Sequence, residues 1–163
     1  MKTYLIHLSN LNMPRRICDI FKYNQTKNYV YSYHTTRHGV FNYGMSGDNE
    51  WGRGSWGNRT YRKAGGIPGW RYMLHDTSAL KMSQLMSLYL PDVRKDDVII
   101  TVYDYTVDLI NESYQEIDRF LLNEENRLIR NYERQFGCLP LLNIQNTKAH
   151  PKPEFDRLFE AIQ

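Results

Sequence analysis

Residues 29–46, YVYSYHTTRHGVFNYGMS, decide the fold. Residues 29–34 are mostly β-branched or aromatic and read as a strand. TTRHG, 35–39, is turn material, and 40–46 resume the strand pattern, so the stretch reads as a hairpin. Two strands joined this tightly pair antiparallel, because a parallel crossover needs a dozen or more residues.

Working outward, DVIITVYDY (97–105) is the clearest strand in the chain. SALKMSQLMSLYL (78–90) has helical apolar spacing and ends before Pro91. Residues 111–136 form the strongest helix, with Ile117, Phe120, Leu121, Leu128 and Ile129 as an apolar stripe among charges and Gly137 as its stop. Upstream, KTYLIHL (2–8) has strand character. Residues 13–23 read as a short helix, with Asn12 as a cap and Pro14 in the first turn. This order predicts an α/β (α+β) architecture: a small, largely antiparallel three-stranded central sheet flanked by helices. The expected organisation is an N-terminal extension (1–26), a central domain (27–146) carrying an insertion at 46–75, and a C-terminal helical tail (147–163).

A chain of 163 residues makes one domain and can bury a core without disulfides. Cys18 and Cys138 have neither a zinc spacing nor a staple pattern and read as small hydrophobes in a reducing compartment. No apolar run approaches the ~20 residues that span a membrane. Arg15 and Arg16 stand where a secretory cleavage site would be, so the expectation is a cytoplasmic protein that is not secreted.

The net charge of +3 conceals a segregation. Between Gly52 and His75 lie Arg53, Arg59, Arg62, Lys63 and Arg71 with no carboxylate, beside Trp51, Trp56 and Trp70. Eight of the ten glycines fall between Gly44 and Gly69, so this segment reads as a long surface loop containing a short helix. Cations interleaved with aromatics suit phosphates and unstacked bases, which makes Arg53, Arg62, Lys63, Trp56 and Trp70 candidate DNA contacts. A solvated loop whose tryptophans cap the core is the competing reading. Asp92 to Glu133, by contrast, holds eleven of the eighteen carboxylates.

Tyr29-Val30-Tyr31 on the first hairpin strand, Asn42-Tyr43-Gly44 on the second, Glu125-Asn126-Arg127-Leu128-Ile129 on the long helix and Pro140-Leu141-Leu142-Asn143 after it occur in a telling order. That order and spacing resemble the GIY-YIG nuclease family over roughly 29–146. The chain departs from the pattern in two places. Tyr29 stands at the first motif's glycine, and Asn42 at the second motif's usual tyrosine, with Tyr43 one residue off. Since a one-residue shift on a strand turns a side chain to the other face, either a bulge brings Tyr43 inward or Asn42 fills the position.

The resemblance implies a DNA endonuclease dependent on Mg2+ (or Mn2+), leaving 5′-phosphate and 3′-hydroxyl ends. It gives Tyr31 the activation of water, Glu125 the metal, an arginine the phosphate, and Asn143 the closing of the site by ordering the glutamate's surroundings. Glu125 lies one turn after Leu121 and one before Ile129, facing inward, whereas Glu124 is turned about a hundred degrees away toward solvent. Three arginine placements stay open: Arg59 with Lys63 one turn on, Arg71 paired with His75 at i and i+4, and Arg62. A guanidinium fork suits phosphate oxygens and stays charged. His34 and His38 do not converge on a metal and are expected at the surface. Double-strand cleavage by such an enzyme requires a homodimer or sequential nicking. The alternative is a non-catalytic nucleic-acid-binding protein on the same scaffold, and a blander one is an interaction domain.

Overall fold

A computed structural model of the chain describes residues 1–11, 16–48, 60, 63–70 and 77–143. Of the candidates above, Arg53, Trp56, Arg59, Arg62, Arg71 and His75 lie outside the described residues, as do Asn12, Pro14 and the 147–163 tail.

The fold is α+β. Its elements are β1 (Lys2–His7), α1 (Arg16–Tyr23), β2 (Tyr29–Thr35), β3 (Gly39–Ser46), α2 (Thr77–Tyr89), β4 (Ile99–Asp104) and α3 (Tyr114–Phe136). All strand pairings are antiparallel, in the order β1-β4-β2-β3. The sheet therefore has four strands rather than the expected three. The additional strand, β1, lies along β4 with Lys2 opposite Asp104 and His7 opposite Ile99. Its partner is about a hundred residues away, so no local turn announces the pairing.

The hairpin forms as expected, with Tyr31 opposite Gly44 and Tyr33 opposite Asn42. The register then shifts so that His34 faces Val40, skipping Phe41 at a bulge. On one face of the sheet, Tyr29, Tyr31 and Tyr33 enter the main core with Phe21 of α1 and Met82, Leu85 and Met86 of α2. Phe21 stacks on Tyr29 at 4.7 Å.

Helix α3 covers the β2–β3 half of the other face, where Ile117 and Leu121 meet Val30 and Met45. Burying each such aliphatic side chain contributes roughly 1.5–3 kcal/mol. Ser113 caps the helix by accepting from the Glu116 N–H at 3.2 Å. Gly137 ends it in the left-handed region, at φ 71°, where the absence of a Cβ removes the steric penalty. Among the described residues, no helix is long and apolar enough to cross a membrane.

One expectation about the basic segment fails in its described part. Thr60, Ala64, Ile67 and Trp70 are buried, not exposed on a surface loop. The reason is close packing: a Cβ on Gly66 would stand 2.2 Å from the Ala79 carbonyl oxygen and 2.7 Å from Met82 Cβ. There the glycine admits α2 rather than loosening a loop. Trp70, only 4% exposed, is core, and that burial removes it as a surface for stacking bases.

Candidate active site

The site is built around the middle of β3. Tyr31 projects from β2 onto the α1–α2 face, and its ring reaches across the edge strand at Gly44. A Cβ on Gly44 would lie 2.4 Å from both Cζ and Oη of Tyr31. The glycine is needed for space, since any side chain would occupy the position of the phenol. Tyr29 and Tyr33 flank this ring, with centroids 5.9 and 5.7 Å away.

Those two neighbours are held by Thr60. The Tyr29 hydroxyl shares a 3.0 Å hydrogen bond with Thr60 Oγ1, and the Tyr33 hydroxyl donates to the Thr60 carbonyl at 2.5 Å. Complete burial pushes both phenols far above the ordinary tyrosine range, chiefly by desolvating the charged form. They are neutral, structural tyrosines; Tyr31 between them is just as completely buried, so its ionisation requires a charge beside it to offset desolvation. Nothing in the local sequence marks Thr60 as their anchor, because the contact spans about thirty residues.

Lys63, next to Ala64 on a helical turn, brings its ammonium to 5.3 Å from the centre of the Tyr31 ring. The same Nζ donates to Asn42 Oδ1 at 3.3 Å. Asn42 is buried, and its Nδ2 donates to the Leu142 carbonyl at 3.1 Å. Tyr31, Asn42, Gly44 and Lys63 thus share one face.

The bulge lies on the far side of Asn42 from Gly44, so residues 42–46 alternate regularly. Asn42 therefore shares Tyr31's face, and Tyr43 turns to the opposite one. There Tyr43 packs with Ile129 and Leu139 and meets the Tyr132 ring at 6.5 Å. Burial raises its phenol pKa. The option of a bulge carrying Tyr43 inward is not realised.

Asn143 closes the outer edge of β3. Its Oδ1 accepts from the Tyr43 N–H at 2.8 Å, and its Nδ2 donates to the Tyr43 carbonyl at 2.9 Å. Next to it, the Leu142 N–H donates to the Phe41 carbonyl at 2.8 Å. These side-chain bonds order the strand backbone, whereas the expectation was that they would order the surroundings of Glu125.

Glu125 is 7% exposed and lies in the stripe Ile117, Leu121, Ile129 of α3. Leu121 lies against Gly47, and Ile129 packs with Tyr43. Glu125 lies between these two contacts on α3, on the helix face turned to the sheet. Tyr31 lies on the α1–α2 face of the sheet and Glu125 on the helix packed against the other face, so the sheet stands between them. Glu124 is only partly exposed: it accepts from the Tyr105 hydroxyl at 3.0 Å and from Arg127 Nη2 at 2.9 Å. Arg127 lowers its pKa, while burial, followed by Glu124 itself, pushes Tyr105 up to about 12.

Among the described residues, no three His, Cys, Asp or Glu side chains gather into a metal cluster. The half-buried His34 shares a 2.9 Å bond with Thr101 Oγ1, and His38 faces Asp92 at 3.4 Å, so the two do not converge. The chain matches no protein-family model, no curated protein and no solved structure.

Proposed function

We propose that the protein is an intracellular, Mg2+-dependent DNA endonuclease of GIY-YIG type. What supports this reading most is one arrangement: a phenol laid across a side-chain-free strand position beside an ammonium, with a buried carboxylate on the helix that packs against the other face of that strand. A carboxylate is costly to bury, and retention of a cation is a reason to keep one there.

A single carboxylate fits Mg2+, which keeps several waters and binds through one or two carboxylates plus substrate phosphate. Glu125 would hold it, and the ion would supply charge neutralisation at the leaving oxygen. Tyr31, as phenolate, accepts a proton from water as the resulting hydroxide attacks phosphorus. As the bond from water oxygen to phosphorus forms, the bond from phosphorus to the 3′ oxygen of the cut strand breaks, and the leaving 3′ oxygen is protonated by solvent. Lys63 sits where it favours the phenolate and the negative charge that builds on the phosphoryl oxygens. The basic segment 46–75 would supply DNA backbone contacts and the guanidinium, and a homodimer would allow both strands to be cut.

Plasmid nicking tests the reading. Purified protein with Mg2+ or Mn2+ should relax supercoiled DNA, and Glu125→Ala and Tyr31→Phe should abolish cutting while leaving low-salt DNA binding intact. A wild type that binds DNA but never nicks it identifies a binding protein on this scaffold. A wild type that does not bind DNA even at low salt overturns both.

A further inference from the structure

The place of the second-motif tyrosine is taken by an amide that makes two bonds at once. Asn42 Nδ2 donates to the Leu142 carbonyl, and this fixes the flip of the amide so that Oδ1 faces Lys63. An amide oxygen accepts from an ammonium without neutralising it. A carboxylate at this position would form an ion pair, and a hydrophobe would leave the lysine unanchored.

Lysine is a long chain with many rotamers, and holding its head in one place costs entropy. Here the head is held between the Asn42 oxygen and the Tyr31 ring, 5.3 Å from the ring centre. A cation over an aromatic face is attracted to it, and the attraction grows when the phenol loses its proton. Tyr29 and Tyr33 lie against the same ring but turn their hydroxyls to Thr60, so they bring no charge to it.

We propose that Asn42 is a positioning residue that fixes Lys63 against Tyr31, and that this cation, in place of a second tyrosine, makes Tyr31 the acidic phenol of the site. The proposal deepens the nuclease reading by naming what activates its base, but its physical content does not depend on cleavage. The chain uses an Asn–Lys pair from two places, β3 and the helical turn at 63–64. The Leu142 carbonyl is the fixed end of this relay.

The test is titration of Tyr31 in the full chain carrying 13Cζ-labelled tyrosine, with the Tyr31 resonance identified by its loss in Tyr31→Phe. Lys63→Met should raise the Tyr31 midpoint by about one to two pH units. Lys63→Arg, which keeps the charge, should hold the midpoint near wild type. Asn42→Asp keeps an acceptor for Lys63 but loses the bond to the Leu142 carbonyl and adds a negative charge, and should also raise it. Asn42→Leu should raise it by less than Lys63→Met, because the lysine is freed rather than removed. Thermal unfolding of each variant establishes that it is folded, and Lys63→Met against Lys63→Arg carries the test if Asn42→Leu does not fold.

The nicking rate should follow the same order, with the rising limb of its pH profile displaced in Lys63→Met. A Tyr31 midpoint unmoved by Lys63→Met overturns the proposal, whatever the DNA assay gives. Displaced midpoints in a protein that never nicks DNA uphold the positioning role and remove the nuclease reading instead.

Discussion

On one face of β3, Tyr43 and Met45 are packed beneath Ile117, Leu121 and Ile129 of α3. On the other, Asn42 and Gly44 offer an amide and no side chain at all, and the vacated space is filled by Tyr31 from the next strand and Lys63 from a helical turn. Both faces are packed, the first by aliphatic side chains of α3 and the second by a phenol that crosses the strand where Gly44 leaves room. Substitutions on the two faces of this strand should therefore fail in different ways.

The widest separation is expected between two tyrosines. Tyr31→Phe should lower nicking by about 10²–10⁴-fold, the range for loss of a general base. Tyr43→Phe should leave the rate unchanged, and equal losses from the two would erase the distinction between the faces.

Next in size is Leu121→Ala, which empties a fully buried position beneath α3. It should cost about 2–5 kcal/mol in denaturant unfolding while nicking per folded molecule persists. Gly44→Ala should cost about 1–3 kcal/mol, because its Cβ collides with the Tyr31 ring. Unlike Leu121→Ala, it should abolish nicking in the fraction that remains folded. In the same range, Asn143→Ala deprives the Tyr43 N–H and carbonyl of their partners at the strand edge. About 1–3 kcal/mol is expected, read as a lowered unfolding midpoint. Tyr43→Phe closes the series, with a stability change within about 0.5 kcal/mol.

Much of this contrast could be read from residue order. The 29–46 hairpin, the 97–105 strand and the long helix ending at Gly137 all carry local signals: alternation, helical spacing and a glycine stop. Glu125 was placed inward because Leu121 and Ile129 bracket it at one-turn intervals. The position of β1 was not legible, since its partner β4 lies far along the chain and strand character does not name a neighbour. Gly66 misled because glycine serves both loose turns and tight contacts, and only the Ala79 carbonyl decides which. Trp70 follows the competing reading, in which the tryptophans cover the core rather than contact DNA. The choice between Asn42 and Tyr43 hung on where the bulge fell, and sequence spacing leaves its location open by a residue or two.

The reciprocal bonds of Asn143 bear on how the protein is made. They join positions one hundred residues apart, so the outer edge of β3 is covered only after the chain through Asn143 has been synthesised. Until then a nascent chain holding the finished hairpin presents backbone donors and acceptors to any strand nearby. A single asparagine, by imitating one residue of a neighbouring strand, ends that exposure. It guards against aggregation as much as it supports the fold, and it takes up that duty last.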